Sequence, residues 1–170
     1  YFIIPEALKE LRDSLKILAS ETFSSVSAPI QYAAIAAYSN NHDEYINNSR
    51  SILKAVGEYV YENLKSNKIN INKPQGGFYL MPEFLTEKFS TAEEMCDNIL
   101  EETGVALLPG SDFGFSKERM IARLSFTDFN GSEFMNNIKK NNKLDLSSIL
   151  KFAPKIVEGT KKLKHWSESL

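Results

Sequence analysis

Between Asp43 and about Leu64, apolar side chains recur at spacings near three and four, at Tyr45, Ile46, Ile52, Leu53, Val56, Tyr59, Val60 and Leu64. That recurrence marks one face of an α-helix. It is the longest such pattern in the chain, and a helix of this length is able to join two lobes. The elements on either side have to be arranged around it.

Upstream, proline at the first position of Pro5-Glu6 loses no hydrogen bond by starting a helix, and the acid complements the helix dipole. Leu8, Leu11, Leu15 and Leu18 mark one face of that helix. Residues 20–27 are polar and rich in hydroxyls, which predicts a loop and a helix restarting at Ser27-Ala28-Pro29. The alanine-rich residues 30–38 continue that helix, in a form compatible with close packing, and Asn40-Asn41-His42 end it.

Downstream, Ile69 and Ile71 alternate with asparagines as in a short half-exposed strand. Pro74-Gln75-Gly76-Gly77 then turn the chain into an apolar strand over residues 78–81, giving strand, turn, strand. Ser90-Thr91-Ala92-Glu93-Glu94 starts a helix with acids in its first turn, and Gly104 suits a left-handed cap at its end. Strands over 105–108 and 121–126, a helix over 132–140 and a basic tail helix near 154–164 complete an α+β arrangement. The asparagine-rich patch 136–142 reads as a solvated linker.

With 170 residues, 42% of them hydrophobic, the chain can bury one core and a small second one. Its 20 basic and 22 acidic residues are interspersed. No cationic stripe exists to neutralise a phosphate backbone, so nucleic acid is not an expected partner. Apolar runs break off short of a membrane-spanning length, so no membrane association is expected either. The opening Tyr1-Phe2-Ile3-Ile4-Pro5 has neither an initiating Met nor the basic start of a signal peptide. It reads as the end of a strand, and we expect a piece of a longer protein. The single cysteine, Cys96, sits among helix formers, where a buried inert thiol is the ordinary reading and a nucleophile the alternative. A chain without a disulfide fits the cytoplasm. His42 and His165 have no acid or second histidine at ligand spacing, and no metal site is expected.

Arg123 lies in the apolar run Ile121-Ala122-Arg123-Leu124-Ser125-Phe126. A guanidinium on an apolar strand needs a partner, and its planar fork matches a carboxylate through two parallel hydrogen bonds. Two readings stay open: a clamp for the carboxylate of a ligand, or a salt bridge to an internal acid such as Glu118 or Asp128. Gly76-Gly77 and the segment Pro109-Gly110-Ser111-Asp112-Phe113-Gly114 read first as tight turns. The aromatic residues beside the second segment are also suited to wall a small-molecule pocket, which makes Pro109, Gly110 and Phe113 candidate lining residues. Ser111 and Ser125 lack a nucleophile elbow, and the glycines match neither a P-loop nor a dinucleotide fingerprint.

Taken in order, Ser27-x-Pro29-x-Gln31-x-Ala33-Ala34, Pro74-x-Gly76-Gly77-Phe78-Tyr79, Gly104-Val105-x-x-x-Pro109-Gly110-x-x-Phe113-Gly114 and Arg123-Leu124-Ser125-Phe126 closely resemble the C-terminal part of class I/II aminotransferases, of the aspartate aminotransferase fold. The resemblance covers roughly residues 1–140 and is looser in the tail. It implies a parent enzyme that is α/β overall, of which this chain is mainly an α+β small domain, a short sheet with flanking helices. Residues 1–42 would end the large, cofactor-binding domain, 43–66 form the connecting helix, 67–142 the small domain and 143–170 the tail helices.

The resemblance further implies pyridoxal 5'-phosphate as cofactor, amino acid and 2-oxo acid as substrates, a role in amino-acid metabolism and biosynthesis, and a cytoplasmic homodimer. It gives Arg123 the α-carboxylate of the substrate, and it places Gly76, Gly77 and Phe78 with the loop 109–114 among the residues lining the pocket. The Schiff-base lysine of such enzymes stands in a phosphate-lined pocket, a context none of this chain's lysines has. That lysine is expected upstream, leaving no catalytic residue here and a chain inactive alone. A lyase or decarboxylase using the same cofactor and fold, and a non-catalytic effector-binding domain, are the alternatives.

Overall fold

The computed structural model describes residues 3–23, 25–141 and 144–170. The expected strand end at Tyr1-Phe2 and the boundary expected at 142/143 lie outside them. The chain divides into two compact units, residues 1–42 and 43–170.

The first unit holds a 3₁₀ segment Glu6–Leu11 and helices α1 (Arg12–Thr22) and α2 (Ala28–Ser39). Pro5 precedes the first turn instead of beginning it, with extended ψ of 152°. Helix α1 runs into the polar stretch that predicted a loop, while α2 starts as expected just after Ser27, with proline in its first turn. None of these elements has a buried residue. Ile17, Ile30 and Ile35 are 66%, 59% and 61% exposed. Helix α2 is apolar nearly all round, with Gln31 and Ser39 its only polar residues apart from the tyrosines.

The second unit carries the core. Its elements are α3 (Asp43–Leu64), β1 (Ile69–Asn70), β2 (Tyr79–Leu80), β3 (Glu83–Phe84), α4 (Ala92–Thr103), β4 (Leu108–Pro109), β5 (Ala122–Ser125), α5 (Gly131–Asn141), α6 (Leu146–Phe152) and α7 (Pro154–Glu168). The fold is α+β, with short antiparallel sheets flanked by helices. Helix α3 buries Ile52, Val56, Val60 and Leu64, a subset of the periodic positions that predicted it. They meet Leu80, Leu124 and Phe126 from the sheet region, Met95 and Ile99 of α4, Phe134 of α5, and Val157, Leu163 and Trp166 of α7 in one cluster.

Ile69 and the strand after Gly77 do not form a hairpin: β1 pairs with β3, Ile69 opposite Phe84, whereas β2 pairs with β5. Strand β3 itself was not predicted. Residues 105–108 contribute only Leu108 to a ladder, followed by Pro109. Residues 136–141 of the expected linker are helical instead, because α5 continues through Asn141, with the Asn141 side-chain amide donating to Asn137 Oδ1 at 2.8 Å.

Helix α4 shows why its start was readable. Thr91 Oγ1 accepts from the Glu94 backbone N–H at 3.2 Å, and Glu94 reaches back to accept from the Ser90 N–H at 2.9 Å. Gly104 closes the helix with φ of 72°. Thr91→Ala strands a helix N-terminal donor and is expected to cost about 1 kcal/mol in urea denaturation. A loss indistinguishable from zero would show that water replaces the cap.

Candidate functional site

The sheet β2-β5-β4 positions the arginine, and β5 lies in its middle. Along β5 alternate residues face opposite ways. Ala122 and Leu124 are buried, as is Phe126 just beyond the strand, whereas Arg123 is half-buried and Ser125 exposed. Tyr79 pairs with Ser125, which makes it the diagonal neighbour of Arg123 on the same face, within reach of an aromatic side chain. From the other side a 3₁₀ turn, Gly110–Phe113, brings in Phe113. The Arg123 guanidinium carbon lies 4.1 Å from the centroid of Phe113 and 4.5 Å from that of Tyr79.

Among the described residues no hydrogen bond or ion pair engages this guanidinium. The internal acids that might have satisfied it are occupied elsewhere. Glu118 accepts from the Ser116 hydroxyl, which, followed by its own backbone N–H, holds its carboxyl below the usual range. Asp128 pairs with Lys155 at 3.3 Å. Nearby Arg119 shows the contrast, since its Nε and Nη2 each donate to Glu83 at 2.9 Å. Aromatic rings along Arg123 attract its charge while leaving its N–H edges unbonded. That arrangement presents a planar fork to a planar anion.

Of the residues singled out from sequence, Phe113 and Arg123 are in contact, and Pro109 and Gly110 build the turn that carries Phe113. Gly110 is a matter of packing. A Cβ there would fall 2.9 Å from Ile121 Cβ and 3.0 Å from Ile121 O, and its N–H donates to that carbonyl at 2.7 Å. Phe78 is 40% exposed, its ring 4.3 Å from that of Tyr79. Tyr79, not Phe78, touches the arginine, and only strand register reveals this. Gly76 and Gly77 lie apart from the Arg123 contact, lining a cleft of about 460 Å³ with Arg50, Lys54 and Phe126. Cys96 is buried in the core, and burial, reinforced by the charges of Asp97 and Asp112, pushes its thiol up to about 11. It is an inert packing thiol. Among the described residues no helix is long and apolar enough to cross a membrane.

A family model described as aminotransferase class I and II matches residues 1–133. The chain is 33% identical over 110 residues to an aspartate aminotransferase of Bacillus sp. (strain YM-2), a stretch making up 62% of this chain and 28% of that protein. It is 35% identical over 103 residues to a probable N-acetyl-LL-diaminopimelate aminotransferase of Bacillus subtilis (strain 168), 61% of this chain and 25% of that one. Among solved structures, an alanine aminotransferase from Pyrococcus furiosus superposes with a TM-score of 0.69 at 22% identity, covering 97% of this chain and 36% of its own. At that identity the likeness is one of fold. The chain spans about a quarter of the length of the curated relatives it matches.

Proposed function

The chain belongs to the class I and II aminotransferase family, and on that footing we propose that it is the part of an aminotransferase that grips the α-carboxylate of an amino acid through Arg123. The parent enzyme exchanges an amino group between that amino acid and a 2-oxo acid. The observation that carries this reading is a guanidinium held against the rings of Tyr79 and Phe113 with no acid partner among the described residues. A carboxylate approaching in the guanidinium plane gains two charge-assisted hydrogen bonds. The Tyr79 and Phe113 rings restrict where that plane lies, which fixes the orientation of the bound substrate before any chemistry.

Pyridoxal phosphate, the cofactor of this family's chemistry, asks for a free lysine amine, an acid to face its ring nitrogen and donors for its phosphate. The lysines that line clefts here do not supply that set. Lys155 is paired with Asp128 and Lys162 with Glu158, while Lys54 stands beside a second cation, Arg50, with no acid in its cleft. We place the cofactor's ligands in other parts of the longer protein and expect this chain to be inactive by itself. Residues 1–42, with apolar helices unburied, are assigned to the large domain, and the whole protein to a cytoplasmic homodimer.

The test is to supply the full-length protein with pyridoxal phosphate, 2-oxoglutarate and a panel of aspartate, alanine and phenylalanine, and to follow formation of glutamate. Glutamate appearing with at least one donor is expected. Carbon dioxide release without glutamate would replace the transaminase by a decarboxylase, and no turnover of any amino acid would leave a binding domain.

A further inference from the structure

On α3, Arg50 and Lys54 stand one helical turn apart and line the cleft formed with Gln75, Gly76, Gly77 and Phe126. Like charges at this spacing destabilise a helix, so an opposite charge would ordinarily be recruited. The natural candidate, Glu58 on the following turn, is bonded to Lys73 at 3.1 Å instead. Among the described residues neither Arg50 nor Lys54 has an ion pair or hydrogen bond. The Gln75 side-chain amide and the backbone N–H groups of Gly76 and Gly77, like the two cations at solvent-exposed positions, have no acceptor among the described residues. Cations and unbonded donors therefore border the same cavity.

The glycine pair adds a second, independent observation. Gly77 has φ of 70°, the left-handed conformation that in tight turns lets neighbouring N–H groups converge on an anion. Gly76 has no such positive φ, and a Cβ built on it meets nothing within 4 Å. Neither backbone strain nor packing within the chain requires glycine at position 76. The space over it is open, and Gly76 is itself part of the cleft lining.

We infer that this cleft is a binding site for a small oxyanion carrying at least two negative charges, a dicarboxylate or a phosphate. The site is separate from Arg123. The ladder between β2 and β5 continues through the Phe126 N–H, which donates to Phe78 O at 3.2 Å, and the alternation along it directs Phe126 away from the face that Arg123 occupies. The fully buried Phe126 ring is the floor of the cleft, on the α3 side of the sheet. A doubly charged anion spans Arg50 and Lys54 at once, whereas a monoanion neutralises only one. The inference concerns a second ligand and does not depend on the transaminase reading.

Titration calorimetry on the full-length protein, with inorganic phosphate in one arm and succinate in the other at constant low ionic strength, tests it. Saturable binding of at least one probe is expected, and the tighter probe identifies the anion class. The double substitution R50Q/K54Q should weaken that binding by about tenfold or more, because charge-assisted hydrogen bonds are lost from both cations. Gly76→Ala, which changes no charge and meets no neighbour, should weaken it while leaving the unfolding temperature unchanged. Because succinate also fits the Arg123 site, its arm is run on Arg123→Lys protein, in which the cleft is left to bind it. Absence of saturable binding in both arms would overturn the inference, as would binding unchanged by R50Q/K54Q.

Discussion

Arg123→Lys in the full-length protein is expected to raise KM for amino acids by about tenfold to a hundredfold, the loss associated with a charge-assisted hydrogen bond of a bidentate pair. Lysine keeps the charge but not the fork. Its ammonium is a point donor that cannot present two parallel N–H groups to a carboxylate, and it lacks the flat surface that lies 4.1 Å from Phe113 and 4.5 Å from Tyr79. The substitution should leave folding nearly unchanged, since no ion pair among the described residues is broken. An unchanged KM would remove Arg123 from the substrate site and with it the reading of the sheet face. Phe113→Leu should move KM in the same direction by less, because the charge and fork remain and only one orienting ring is lost.

Trp166→Ala is expected to destabilise the chain by about 3–5 kcal/mol, in the range of large-to-small changes at buried aromatic positions. Trp166 is 3% exposed, edge-on to Phe84 at 5.4 Å and stacked on Phe89 at 5.9 Å. Its Nε1–H donates to Asn98 Oδ1 at 3.1 Å. The substitution thus opens a cavity between α7, α4 and β3 and removes one hydrogen bond from Asn98. The family match ends at residue 133, yet the fold match with the Pyrococcus furiosus enzyme covers 97% of the chain. Urea denaturation of the variant separates the two pictures. A loss below about 1 kcal/mol, typical of surface positions, would mean that α7 is an appendage.

Much of the helical framework is legible in the sequence. Leu53, Val56 and Val60 announce α3, and Thr91 with Glu94 announces α4, because periodicity and capping are local and act within a few residues. Arg123 stood out for a similarly local reason, a fixed charge in an apolar strand. Helix α6 lies within the expected tail helices but has no periodic signal of its own, since seven residues capped by Asp145 hold too little of a period to register. The short strands were visible only in part. Two-residue ladders such as Glu83–Phe84 leave almost no alternation in the sequence, and the pairing of Ile69 with Phe84 in place of a hairpin is settled by which side chains the core accepts.

The sequence by itself determined that a long amphipathic helix precedes a small α+β sheet, that Arg123 needs a planar anionic partner, and that four motifs follow the order found in class I and II aminotransferases. Tertiary structure alone decided which groups surround that arginine. Register brought Tyr79 diagonal to it, the 3₁₀ turn brought Phe113 beside it, and Glu118 and Asp128 were taken by other partners. It also decided that Arg50 and Lys54 share a cleft with Gly76 and Gly77. The physical reason is one of range. Helical spacing, caps and turn chemistry are properties of neighbours along the chain, whereas the partner of a charge is set by whatever folding carries into reach from far away in sequence.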